Sequence, residues 1–130
     1  MVVSTIKSVF QRDVKDVWSI VTSLENYQWR SDLSKIEVIG ERKFVEYTKD
    51  GYATTFTVTA CEPYQRWEFD MENGNMTGHW TGIFSFQDGQ TEIEFTEDVT
   101  AKKWFMWPFV KWYLKKQQER YMADLRKMLQ

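Results

Sequence analysis

Lys102-Lys103-Trp104-Phe105-Met106-Trp107-Pro108-Phe109-Val110, running on to Gln130, is the stretch from which the fold is read. Val110, Leu114, Gln117, Tyr121, Leu125 and Met128 recur at steps of three and four, which is one face of a helix. Lys111, Lys115, Arg120 and Arg126 lie off that stripe. Pro108 suits the first turn, where its missing N–H costs little. From there to the C-terminus the helix would run roughly 30–35 Å at about 1.5 Å per residue. Such a helix needs a broad apolar partner, which the preceding chain has to provide.

Three turn signals describe that partner. Asp50-Gly51, Asn73-Gly74 and Asp88-Gly89 each read as a two-residue hairpin loop. Across Asp88-Gly89, Phe86 then faces Thr91, Phe84 faces Ile93, Gly82 faces Phe95 and Trp80 faces Glu97. Across Asn73-Gly74, Met71 faces Met76, Phe69 faces Gly78 and Trp67 faces Trp80. Across Asp50-Gly51, Val45 faces Phe56 and Tyr47 faces Thr54. One face becomes apolar and aromatic, while Thr55, Thr57, Thr59, Glu68, Asp70, Glu92 and Glu94 collect on the other. This is an antiparallel sheet with one solvated side.

Upstream, Val2 to Phe10 reads as a strand. Asp13 precedes the helical pattern Val14, Val17, Trp18, Val21, Leu24, with Asp16 in the first turn. A second short helical turn is expected over Tyr27 to Leu33, followed by strands at Ile36 to Arg42 and Phe44 to Lys49. The predicted class is α+β: a strongly curved antiparallel sheet of about seven strands wrapped around one long C-terminal helix, with a short helix pair after strand one.

Composition narrows the functional classes. A chain of 130 residues, 42% hydrophobic and 17% aromatic, is expected to form one domain over residues 1–130 with an interior built from large rings. The single cysteine, Cys61, has no internal disulfide partner, and residues 1–10 show no continuous apolar core of a signal peptide. A soluble cytoplasmic protein is the expectation. The net charge of −2 divides unevenly, about +6 from Lys102 onward and about −8 before it, by direct count. No nucleic-acid fingerprint accompanies the basic helix, so its charges are read as a solvated face and no nucleic-acid partner is expected. No phosphate loop, nucleophile elbow or metal-ligand spacing is present, and neither metal nor cofactor is expected.

The order strand, helix pair, meander and long helix, together with Val17-Trp18-Ser19-Ile20-Val21 and Tyr27-Gln28-Trp29-Arg30-Ser31-Asp32-Leu33, resembles the START and birch-pollen-allergen superfamily and its helix-grip fold. The likeness covers essentially the whole chain, although Leu24-Glu25-Asn26 stands where members often have Asp. The superfamily includes lipid carriers, polyketide cyclases, hormone receptors and chaperone-activating domains. The resemblance implies a cavity between sheet and helix that takes an apolar, lipid-like or polyketide-like small molecule.

Candidate lining residues follow from the inward register: Tyr47, Thr54, Phe56, Trp67, Phe69, Met71, Trp80, Phe84, Phe95 and Glu97 from the sheet, with Val110, Leu114, Gln117 and Tyr121 from the helix. The simpler alternative is that the rings merely fill the core. Gly78 and Gly82 either let the strand coil or leave space for a ligand. Glu97 is the one inward carboxylate, and desolvation beside Trp80 would suit it to general acid or base work. The plainer reading has it reach water or a basic partner. His79 falls on the outer face between Glu68 and Asp98, away from any cavity. Trp104, Trp107 and Trp112 start the last helix in a segment that is apolar nearly all round. Packing under residues 14–33 is the expected use of these rings, with a membrane surface or a protein partner as the alternative. Carrier or sensor is the favoured function, ahead of a cyclase or dehydratase using Glu97 and of an interaction module.

Overall fold

The computed structural model describes residues 1–130. Seven strands, β1 (Val2–Phe10), β2 (Leu33–Gly40), β3 (Lys43–Thr48), β4 (Ala53–Glu62), β5 (Arg66–Glu72), β6 (Met76–Gln87) and β7 (Gln90–Ala101), form one antiparallel sheet in the order β1-β7-β6-β5-β4-β3-β2. Helix α1 (Val14–Thr22) follows β1, and α2 (Trp107–Met128) closes the chain after a single 3-10 turn over Trp104–Met106. Asp13 caps α1 by accepting from the Lys15 N–H, and Val17, Trp18 and Val21 are its buried face. The expected second helical turn is absent: residues 23–32 are turns and bends, and Leu33 already belongs to β2.

The three hairpins depart from a uniform two-residue rule in instructive ways. Asp88-Gly89 closes as read, both residues at positive φ, and Trp80 pairs with Glu97. The next turn falls on Gly74-Asn75, because the Asn73 side chain accepts from the N–H groups of Asn75 and Met76 and holds the corner one residue late. Phe69 therefore pairs with Trp80 and Trp67 with Gly82, a shift of two that leaves each side chain on its expected face. The third loop has three residues, Lys49 to Gly51, with Gly51 at φ 84° and Thr48 bonded to both Gly51 and Tyr52. That extra residue flips β3: Phe44 pairs with Phe56, and Glu46 pairs with Thr54.

The inner face is a continuous wall of rings. Phe44 stacks on Phe56 at 5.0 Å, Phe69 stacks on Trp80 at 4.7 Å, and Phe95 meets Tyr121 of α2 at 5.7 Å. The helix lies against β1 and, to a lesser degree, β7. Its buried residues are Val110, Leu114, Gln118, Met122 and Leu125. The stripe is thus rotated from the expected one: Gln118 is buried where Gln117 was expected, and Met128 is exposed while Leu129 is buried. The reason is polar. Ser4 donates to the Gln118 amide oxygen at 2.8 Å, and the Gln118 amide donates back to the Ser4 carbonyl at 2.9 Å.

The basic residues of α2 complete this docking. Lys115 donates to the Thr5 carbonyl at 2.8 Å, Lys111 donates to Val3, and Arg126 reaches Val9. β1 is an edge strand, and these cations cover carbonyl groups that no neighbouring strand takes. At the other end, Arg12 donates to the Leu129 carbonyl, so the α2 C-terminus lies beside the start of α1. The aromatic start of α2 is consequently carried away from α1, toward the 73–75 corner, where the Lys102 N–H donates to Asn75. The expected packing of these rings under residues 14–33 does not occur. Trp104, Phe105, Phe109 and Trp112 are 82%, 58%, 67% and 65% exposed.

Candidate functional site

Between the ring wall and α2 lies a chamber of about 170 Å³. Thr54, Phe56, Trp67, Phe69, Met71, Trp80, Phe95 and Glu97 line it from the sheet, and Leu114, Gln117 and Tyr121 line it from the helix. Beside it, beneath the start of α2, lies a larger cleft of about 760 Å³. Asp32, Thr48, Met76, Tyr113, Leu114 and Gln117 border both spaces, which therefore adjoin. An engineered apolar cavity of about 150 Å³ accepts benzene, so the chamber holds roughly one ring and the cleft must take anything larger.

Several sequence-predicted residues lie elsewhere. Tyr47 is a correction: the flip of β3 turns it to the outer face, where Lys35 sits over its ring at 4.7 Å and its hydroxyl donates to Glu37 at 3.4 Å. Phe84 packs edge-on against Trp18 at 4.9 Å and does not line the chamber. Val110 and Trp112 border the outer cleft, whereas Trp104 and Trp107 border neither space. Gly82 leaves no room for a ligand, since a Cβ there would fall 2.6 Å from the Trp80 ring. Its missing side chain lets that indole lie flat on the strand.

The flip that removes Tyr47 brings in Glu46. Its carboxylate accepts from Arg30 Nη1 at 2.9 Å and Nη2 at 3.4 Å, and Asp32 accepts from Nη2 at 3.0 Å. The Arg30 guanidinium lies 5.0 Å over the Tyr121 ring. Burial works against its charge, but Glu46, Tyr121 and Asp32 outweigh that and hold it protonated beyond its ordinary range. Its Nε–H is buried with no partner.

The loop carrying Arg30 is pinned to α2. Asp124 accepts from both the N–H and the hydroxyl of Ser31 at 2.8 Å, while Arg120 donates to that hydroxyl and to the Ser31 carbonyl. Trp29 completes the closure edge-on against Tyr121 at 5.3 Å. Neither Arg30 nor Glu46 was picked out by sequence reasoning. The signal available was Gly51, whose place third in a loop fits a three-residue turn as well as a two-residue one.

Glu97 stands on the chamber wall opposite Trp80 in the β6–β7 ladder. Its side chain is partly buried, lines the chamber and makes no hydrogen bond to another protein group. Burial pushes its carboxyl up to about 7; Arg30 pulls the other way and Glu46 adds to the rise. Burial likewise holds the Tyr121 hydroxyl protonated. Near neutrality the chamber wall thus carries a carboxyl able to hold or release a proton and a protonated phenol inside an aromatic box. No group of three or more His, Cys, Asp and Glu side chains is arranged to hold a metal ion. His79 lies on the outer face, donating to Asp70 and Glu68 at 2.7 Å each.

A curved seven-stranded sheet gripping one long helix, with a chamber between them, defines a helix-grip protein of the START-like class. Within that class, the chain belongs to the polyketide cyclase/dehydrase and lipid transport family, whose model matches residues 1–130. Among solved structures it is similar to a START superfamily protein from Mycobacterium smegmatis, at 13% identity and TM-score 0.86 over 98% of this chain and 96% of that one. It is also similar to a conserved protein from Geobacillus kaustophilus, at 16% identity and TM-score 0.79 over 98% and 95%. A third likeness is to the protein XoxI from Bacillus cereus, at 11% identity and TM-score 0.83 over 99% and 96%. No curated protein matches the sequence.

Proposed function

We propose that residues 1–130 act as one ligand-binding domain for a mostly apolar, ring-bearing small molecule. One ring enters the chamber and the rest of the molecule occupies the cleft. The observation that carries this reading is the joining of a ring-lined chamber to a roomier apolar cleft through a shared border. The polar groups on the chamber wall, the Glu97 carboxyl and the Tyr121 hydroxyl, orient the ligand by hydrogen bonds. The protein carries or senses this molecule. Native mass spectrometry of protein purified gently from its own host is the test, with a denatured control to weigh what is released. A discrete apolar adduct is expected, and it should be lost when Met76, on the shared border, is replaced by Trp. Protein free of adduct, or an adduct indifferent to Met76→Trp, would count against the reading.

A second reading rests on Glu97 alone. A carboxyl near 7 is suited to both halves of a proton transfer at neutral pH. In a dehydration, its carboxylate would take a proton from the carbon beside a carbonyl. The acid so formed would return that proton to the departing hydroxyl, so that a C–H and a C–O bond break, a C=C bond forms and water leaves. Glu97→Gln should then abolish turnover of a β-hydroxy carbonyl substrate while leaving its binding within about twofold. Retained turnover would exclude this role.

A further inference from the structure

Between Lys102 and Gln118 the chain carries five lysines and no acidic residue. Only Lys102 is paired with a carboxylate, Glu72 at 3.3 Å. Lys111 and Lys115 are held on β1 carbonyls, which leaves Lys103 and Lys116 free to meet an outside charge. Interleaved with them are the exposed rings of Trp104, Phe105, Phe109 and Trp112. Phe105, Phe109, Trp112 and Lys116 follow one another at steps of three and four and so share one side of the helix start. Lys116 stands 6.0 Å from the Trp112 ring.

The place of this surface gives it a use. Met106, Phe109, Trp112 and Tyr113 border the outer cleft, so Phe109 and Trp112 stand at its edge with Trp104 and Phe105 just before them in the chain. No helix of the structure is long and apolar enough to cross a membrane. Rings that reach the acyl boundary, with lysines that meet the headgroups, are the chemistry of a helix lying in an interface. A second copy is the poorer occupant, because a two-fold contact through this face would set the lysines of one copy against those of the other. An uncharged apolar partner would leave the lysines without a role.

We propose that the start of α2, with Trp104, Phe105, Phe109, Trp112, Lys103 and Lys116, docks the protein on an anionic lipid surface with the cleft mouth against the bilayer. The docking does not depend on what the chamber holds, so it is tested without any ligand. The experiment is flotation of the full chain with vesicles of phosphatidylcholine alone, and with vesicles in which about one third of the lipid is phosphatidylserine. The wild type should float with the anionic vesicles and about tenfold less with the neutral ones. Trp104→Ser/Phe109→Ser/Trp112→Ser should lose binding to the anionic vesicles by about tenfold or more. Lys103→Glu/Lys116→Glu, which removes no ring, should reduce flotation to the level seen with neutral vesicles. Both variants should keep the wild-type circular dichroism spectrum, since every altered side chain is exposed. Absence of flotation, equal flotation with both vesicles, or wild-type flotation by the charge variant would overturn the proposal. So would a wild-type dimer in sedimentation that the ring variant abolishes, which would assign the surface to a second copy.

Discussion

Two charge clusters, one against the inner face of the sheet and one on its outer face, are built from the same kinds of residue. On the inner face, Arg30 bridges Asp32 and Glu46 within reach of Glu97; on the outer face, His79 bridges Asp70 and Glu68, with Arg66 on Glu68 at 2.7 Å. The inner partners are almost sealed, with side chains 15–21% exposed. Outside, His79 and Asp70 remain 37% and 63% exposed. Inside, burial raises Glu97 to about 7 and leaves Arg30 Nε without a partner. Outside, hydrogen bonds from His79 and then Arg66 lower Glu68, and Asp70 leads in raising His79. The same charges are therefore costly and chemically distinctive on one side, and ordinary on the other. The difference is access to water.

The largest test of that contrast is Arg30→Met. It leaves Glu46 and Asp32, both largely buried, without a counter-charge and should destabilise by about 3 kcal/mol in urea unfolding. Pairing it with Glu46→Leu should recover a large part of the loss, whereas a loss confined to about 1 kcal/mol would mean the inner cluster is as well hydrated as the outer one.

Next in size is Glu97→Gln. The folded carboxyl titrates near 7 against an ordinary 4.5, so the folded state holds more protons between those values, and stability falls as pH rises through that window. Gln removes this dependence. The variant should match the wild type below about pH 4.5 and exceed it by on the order of 3 kcal/mol above pH 7. Parallel melting curves across that range would show that Glu97 is not desolvated.

Smallest is His79→Asn on the outer face, expected to cost under about 1 kcal/mol because water screens the pair. The sign of its pH dependence is definite. His79 is raised above its ordinary 6.5, so its contribution is fully present below that value and fades as pH climbs through the higher folded value. A large effect, or one that grows with pH, would break the contrast from the other side.

The same two faces show how far the site was legible. Asp88-Gly89 places Trp80, Gly82, Phe95 and Glu97 correctly because both residues of that turn adopt positive φ and the loop length is unambiguous. Asn73-Gly74 misplaces its corner yet keeps every side chain on its face, since a shift of two respects the pleat. The segment Phe44-Val45-Glu46-Tyr47 has an aromatic residue on either parity, so alternation alone could not choose between Glu46 and Tyr47. The loop decided it by taking in Lys49 as a third residue, with Gly51 at positive φ.

What the sequence determined by itself is the seven strands, α1 and α2, though not the absence of a second helical turn at 27–33, together with most of the sheet's facing and the inward turn of Glu97, because these depend on local periodicity and on local turns. The tertiary structure decided which charges share the chamber, how α2 is rotated and where its aromatic start points. Arg30, Glu46 and Glu97 come from a loop and two non-adjacent strands, and their meeting depends on one loop residue and on the docking of α2 through Gln118 and Ser4. No local pattern encodes distances between such segments; they are set by close packing of the whole sheet against the helix.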